Sequence, residues 1–199
     1  MKNIIIYLLF LLSGISALIY QTVWQRVLFG LYGINIQATT IIVAIFMLGL
    51  GVGSLFGGFL SKKKNLLLYF SIFEGFVGLF GFFSLKIFNT AFQFTDIITG
   101  FNLFLLSFFL LILPTSAMGA TLPILTEYLI KKFNNIGQSL GILYFVNTLG
   151  AAISSIVTAL FFMKYFGLSN TINIAATINI AIALTMLLIY IKETKGIKA

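Results

Sequence analysis

Residues 39–60 read TTIIVAIFMLGLGVGSLFGGFL, and Ser61-Lys62-Lys63-Lys64 follows. No charge interrupts the run, and its length matches the roughly 20 residues that a helix needs to cross the hydrocarbon core of a bilayer. The lysine cluster marks where the chain leaves lipid. Gly49, Gly53 and Gly57 recur every fourth residue and so share one helix face. Without side chains there, a neighbouring helix can approach closely. Gly51 and Gly53, with Glu74 about 20 residues further on, also resemble part of a dinucleotide fingerprint. No strand–helix alternation surrounds them, so close packing inside a membrane helix is the reading adopted.

Working outward, five more apolar runs have a similar length: Ile4 to Val23, Leu66 to Phe83, Phe101 to Ile130, Leu140 to Phe162 and Ile172 to Ile191. Of the 199 residues, 60% are hydrophobic and 8% charged, against about a quarter charged in a soluble domain. That is too little polar surface to face water all round. The expected fold is all-α, a polytopic transmembrane helical bundle of about six spans. Residues 1–191 form a single transmembrane domain, and 192–199 form a short basic cytoplasmic tail. The first run is read as a retained span rather than a cleaved leader, because it continues past Tyr20 and five more follow. Leu85 to Gly100 is read as an outer loop with a short interfacial helix. No internal sequence repeat stands out.

The net charge of +8 would suit nucleic acid in a soluble protein, but here the cations cluster between spans and describe topology. With the N-terminus cytoplasmic and six spans, the inside holds Lys2, Lys62, Lys63, Lys64, Lys131, Lys132, Lys192, Lys195 and Lys198. The outside holds Arg26, Lys86 and Lys164. Both termini are therefore expected in the cytoplasm.

The chain has no cysteine and no histidine. Disulfides, thiolate and imidazole metal sites and the commonest general base are excluded, and neither a metal nor another cofactor is expected. The acidic residues are Glu74, Asp96, Glu127 and Glu193. Glu74 falls near the middle of the third span, where an unpaired carboxylate costs several kcal/mol. Two readings stand: a proton- or cation-coupled site, or a neutral carboxyl bonded to a neighbouring helix. The fourth segment, LPTSAMGATLPILTEY (113–128), holds Pro114 and Pro123 around Gly119 and Thr121, and reads as a kinked packing helix or as a broken helix lining a cavity. In the fifth, GQSLGILYFVNTLGAA (137–152), Tyr144, Asn147 and Thr148 share a helix side. Gln21, Trp24, Gln25 and Arg26 close the first span, with Trp24 as an interface anchor. Asn173, Thr177 and Asn179 add polarity to the sixth. Candidate substrate or ion ligands are thus Glu74, Tyr144, Asn147, Thr148, Thr121 and Gln21. Candidate packing positions are Gly49, Gly53, Gly57, Gly119 and Gly150.

Four stretches, SGISALIYQTVWQR (13–26), FMLGLGVGSLFGGFLSKKK (46–64), LPTSAMGATLPIL (113–125) and GQSLGILYFVNTLGA (137–151), resemble the membrane domain of bacterial fused major-facilitator/spermidine-synthase-like proteins. The resemblance implies half of a major facilitator in the bacterial cytoplasmic membrane, and an acidic residue at Glu74. It departs at Gln21 and Ser61, where acidic residues are usual. The soluble aminopropyltransferase-like domain of that family is expected to be absent, leaving a stand-alone membrane domain. Three functions follow: a transporter-like module for polyamines or other small cations, with a homodimer restoring twelve spans; an anchor for a separate soluble aminopropyltransferase-like partner; or an intramembrane enzyme. For the last, no nucleophile–base pair is evident.

Overall fold

The computed structural model describes residues 2–33, 35–93 and 100–196. Six helices follow one another: α1 Lys2–Tyr32, α2 Asn35–Leu60, α3 Leu66–Gln93, α4 Gly100–Phe133, α5 Ile136–Val157 and α6 Met163–Gly196, with a π-helical turn, Thr158–Phe162, joining the last two. No strand occurs among the described residues. The architecture is the expected all-α bundle of long apolar helices.

The connections are short and chemically specified. Gly33 ends α1 at φ 67 and donates its N–H to the Phe29 carbonyl, the left-handed cap that glycine adopts without strain. Asn135 caps α5, its side chain accepting from the Gln138 N–H at 2.9 Å. Among the described residues, five segments are long and apolar enough to cross a membrane, and the last of them, Ile136–Lys195, has 60 residues. Straight, it would reach about 90 Å, some three times the hydrocarbon core. Gly167, at φ 69 and ψ 178, breaks it. After that glycine the chain turns back, so α5 and α6 make separate crossings.

Packing fixes the directions. Residues 11–15 of α1 lie against 147–154 of α5, rising together, so α1 and α5 are parallel. Gly49, Gly53 and Gly57 of α2 lie against Thr115, Ser116 and Ala120 of α4, again parallel. Ser71 of α3 meets Ala183 of α6, and Gly78 meets Ala176, so this pair is antiparallel. Six alternating crossings satisfy all three relations and bring both ends of the described chain to one side of the bundle.

These contacts repeat in register. Gly14 and Gly119 are 105 residues apart, and each abuts a carbonyl, of Asn147 and Leu50 respectively, which are 97 apart. Gly150 and Gly53, also 97 apart, abut the carbonyls of Leu11 and Ser116, also 105 apart. Ser16 bonds the Ser13 carbonyl, and 105 residues later Thr121 bonds that of Met118. Helices α1–α3 and α4–α6 are therefore two inverted copies about a pseudo-twofold axis. Sequence inspection alone does not reveal this repeat, because almost every equivalent pair differs in residue type.

The interior is layered accordingly. One apolar cluster, around Trp24, Phe46, Phe88, Leu111 and Ile172, fills the end away from the termini. A second, around Ile6, Phe10, Phe70, Leu129 and Met186, fills the other. A polar layer with Ser13, Ser16, Glu74 and Asn179 lies between them.

Several sequence expectations need correction. α1 runs to Tyr32, well past Val23. Trp24 is no interface anchor: it is fully buried among Tyr20, Phe46, Phe80 and Phe88, and its Nε1–H donates to Ser84 Oγ at 3.1 Å. Residues 85–93 belong to α3, not to a loop, because Phe88 packs into the same aromatic cluster; 94–99, including Asp96, lie outside the described residues. α4 is continuous across Pro114 and Pro123 rather than broken; Thr115 Oγ1 supplies extra donation to the carbonyls of Leu111 and Ile112. The tail from Lys192 continues α6 as helix to Gly196, and Glu193 is tied down by the Tyr128 hydroxyl at 2.8 Å.

Candidate functional site

The buried carboxyl of Glu74 is the chemical centre of the bundle. α3 places it at 2% exposure, where Leu67, Phe70 and Val77 on the same helix are also buried. Ser13 of α1 donates to Oε1 at 2.7 Å, and the amide of Asn179 of α6 donates to Oε2. Glu74 and Asn179 are 105 residues apart, the offset that also relates α1 to α4. The two side chains are thus equivalent positions meeting on the pseudo-twofold axis. Around them the residue pairing is symmetric: Ser71 donates to the Ala183 carbonyl, and their equivalents, Ala176 and Gly78, also lie against each other.

The chemistry on the axis is not symmetric. One half contributes an acid and the other an amide. Both partners of the carboxyl are neutral, and among the described residues no ion pair or hydrogen bond brings a cation to it. Neutral donors recover part of the desolvation cost of a charge at this depth; a proton or a bound cation is the remaining means of neutralising it. Asn179 Oδ1 is buried without a hydrogen-bond partner, as is the Tyr20 hydroxyl, and buried polar atoms of this kind are uncommon. An acidic oxygen pair beside an unused amide acceptor suits a ligand that brings N–H or O–H donors. No group of three or more metal-ligating side chains occurs among the described residues.

The other candidates are dispersed. Thr121 is buried and bonds its own helix at the Met118 carbonyl. Asn147 is half-buried, its carbonyl against Gly14. Tyr144, at 61% exposure, and Thr148 lie on the outward face of α5. Gln21 is half-buried on α1. Among the described residues, none of these hydrogen-bonds to Glu74. Ser13, which does, was not singled out by the sequence as a site residue, and Asn179 figured only as one of three polar residues in the sixth span. The signal for Asn179 was its central place in an otherwise apolar run. Gly49, Gly53, Gly57 and Gly119 pack α2 on α4, and Gly150 packs α5 on α1.

With that geometry in view, a curated polyamine aminopropyltransferase of Oceanobacillus iheyensis is similar to this chain. It is 28% identical over 188 residues, which span 92% of this chain and 35% of the relative. The chain thus spans about a third of the length of the relative it matches, in its N-terminal part. No family model matches, and no solved structure matches. Helices long and apolar enough to cross a membrane, and a likeness to part of a polyamine aminopropyltransferase, are the observations that bear on function.

Proposed function

We propose that the chain is a transporter-like membrane module that moves polyamines or other small organic cations across the bacterial cytoplasmic membrane, with both termini in the cytoplasm. The observation that carries this reading is Glu74, a carboxyl buried on the axis between two inverted three-helix units. Inverted repeats with a site near the midplane at their interface are a recurrent transporter plan, and an intramembrane acid is by default a functional group. The similarity to a polyamine aminopropyltransferase favours a polyamine as the cation. In this reading a homodimer restores twelve spans, with a second copy covering the α5 face where Tyr144 and Thr148 are exposed.

Proteoliposome flux tests the proposal. Vesicles holding the wild-type chain take up spermidine well above empty vesicles, and Glu74→Gln lowers the rate at least tenfold. Uptake equal to that of empty vesicles for the wild type would sink transport.

A second reading is favoured by one observation: the chain matches the N-terminal third of a protein named as a polyamine aminopropyltransferase. In that reading the bundle anchors a separate soluble aminopropyltransferase-like partner. Co-purification of such a protein in mild detergent, with no flux by the bundle alone, would decide for it.

A further inference from the structure

The end of the bundle away from the termini carries a cavity of about 680 Å³ lined by Thr22, Gln25, Arg26 and Phe29 of α1 and by Ala159, Met163, Lys164, Gly167 and Leu168. Two cations from different segments face one space. Arg26 lies over the Phe29 ring at 5.4 Å and Lys164 over the Tyr165 ring at 5.3 Å. Ring faces attract a cation yet leave its N–H donors available. Gln25 donates to Thr39 Oγ1 at 2.7 Å. Among the described residues, no acidic side chain lines the cavity.

The internal repeat supplies a control. Thr22 and Arg26 correspond, 105 residues on, to Glu127 and Lys131. At that end the acid and the cation form an ion pair at 3.4 Å. At the cavity the acid is replaced by threonine, so Arg26 lacks the partner that its counterpart has. The remaining described carboxyls are elsewhere: Glu74 is buried mid-bundle, and Glu193 is bonded to Tyr128 at the opposite end.

We propose that this cavity binds a phosphate-bearing anion between Arg26 and Lys164. A guanidinium matches two phosphate oxygens at once, and the ammonium adds a point charge. Phe29, Ala159, Met163 and Leu168 give the same cavity apolar walls, as a phospholipid headgroup with its glycerol and upper acyl carbons requires; free phosphate shares the charged part of that chemistry. The cavity also abuts the π-helical turn, a distortion that recurs at functional sites.

The test is native mass spectrometry of the full chain, titrated separately with phosphatidylglycerol, phosphatidylcholine and inorganic phosphate. Phosphatidylglycerol binds the wild type, and the double variant Arg26→Gln/Lys164→Gln binds it at least tenfold more weakly. Arg26→Lys, which keeps the charge but loses the two-oxygen match, binds more weakly than the wild type and more tightly than the double variant, while Lys131→Gln leaves binding unchanged. Inorganic phosphate that displaces the lipid supports the same site with the free anion as ligand. Equal phosphatidylglycerol binding by wild type and double variant overturns the proposal, and so does equal binding of phosphatidylcholine and phosphatidylglycerol. Asp96→Asn tests an internal counter-ion: binding that arises only in that variant also overturns it.

Discussion

Glu74 and Asn179 are joined by a hydrogen bond between two buried side chains, in a layer between the two apolar clusters. Side-chain hydrogen bonds between membrane helices contribute about 0.6–2 kcal/mol. A double-mutant cycle of Glu74→Gln and Asn179→Ala, read by thermal unfolding in detergent, is expected to give a coupling of about 1 kcal/mol, and the same cycle with Thr177→Ala, exposed on α6, a coupling near zero. Zero coupling for the first pair would remove Asn179 from the site. Glu74 was legible from sequence because a lone acid in an apolar run is anomalous by itself. Its partners were not, because Ser13 and Asn179 are ordinary polar residues until the fold brings α1 and α6 to α3. Trp24 failed for the complementary reason: a tryptophan near the end of an apolar run reads as an interface anchor, and only the length of α1 and the approach of Ser84 show it to be core.

At the level of paired helices, close backbone approach holds the bundle together, and the glycines divide by what faces them. A Cβ at Gly53 would overlap the Ser116 carbonyl, and one at Gly150 that of Leu11, whereas one at Gly51 would meet nothing within 4 Å. Gly53→Ala and Gly150→Ala must push helices apart and lose contacts along the seam; each is expected to lower stability by about 1–3 kcal/mol. Gly51→Ala is expected to be neutral or slightly stabilising through helix propensity. Thermal unfolding of the three variants in one detergent measures this, and a destabilised Gly51→Ala with an unaffected Gly53→Ala would reverse the assignment of faces. The stripe Gly49, Gly53, Gly57 was readable from its spacing alone. The repeat was not: across the equivalent contacts only the pairs Gly14/Gly119 and Gly53/Gly150 keep the same residue, and two shared glycines do not rise above the background of an 18-glycine chain.

For the whole molecule, the decisive quantity is the number of crossings, since an inverted repeat of three helices requires six. The 60-residue apolar stretch Ile136–Lys195 would count once if only hydropathy were weighed; Gly167 makes it two. The absence of native cysteine makes every introduced thiol unique, so topology can be read by labelling with a membrane-impermeant maleimide. Thr90→Cys and Lys164→Cys are expected to react in intact cells, whereas Lys63→Cys, Asn134→Cys and Lys195→Cys react only after permeabilisation. The sidedness rests on the excess of lysine at the second group's end of the bundle. The alternation rests on packing, and so the two can fail separately. Full inversion of the pattern would reverse the orientation and leave the repeat intact. Labelling of Lys164→Cys from the same side as Lys195→Cys would remove the sixth crossing, and with it the antiparallel pairing of α3 and α6 that puts Glu74 opposite Asn179. The pseudo-twofold axis and the buried acid therefore stand on one measurement, made 31 residues apart on a single segment of chain.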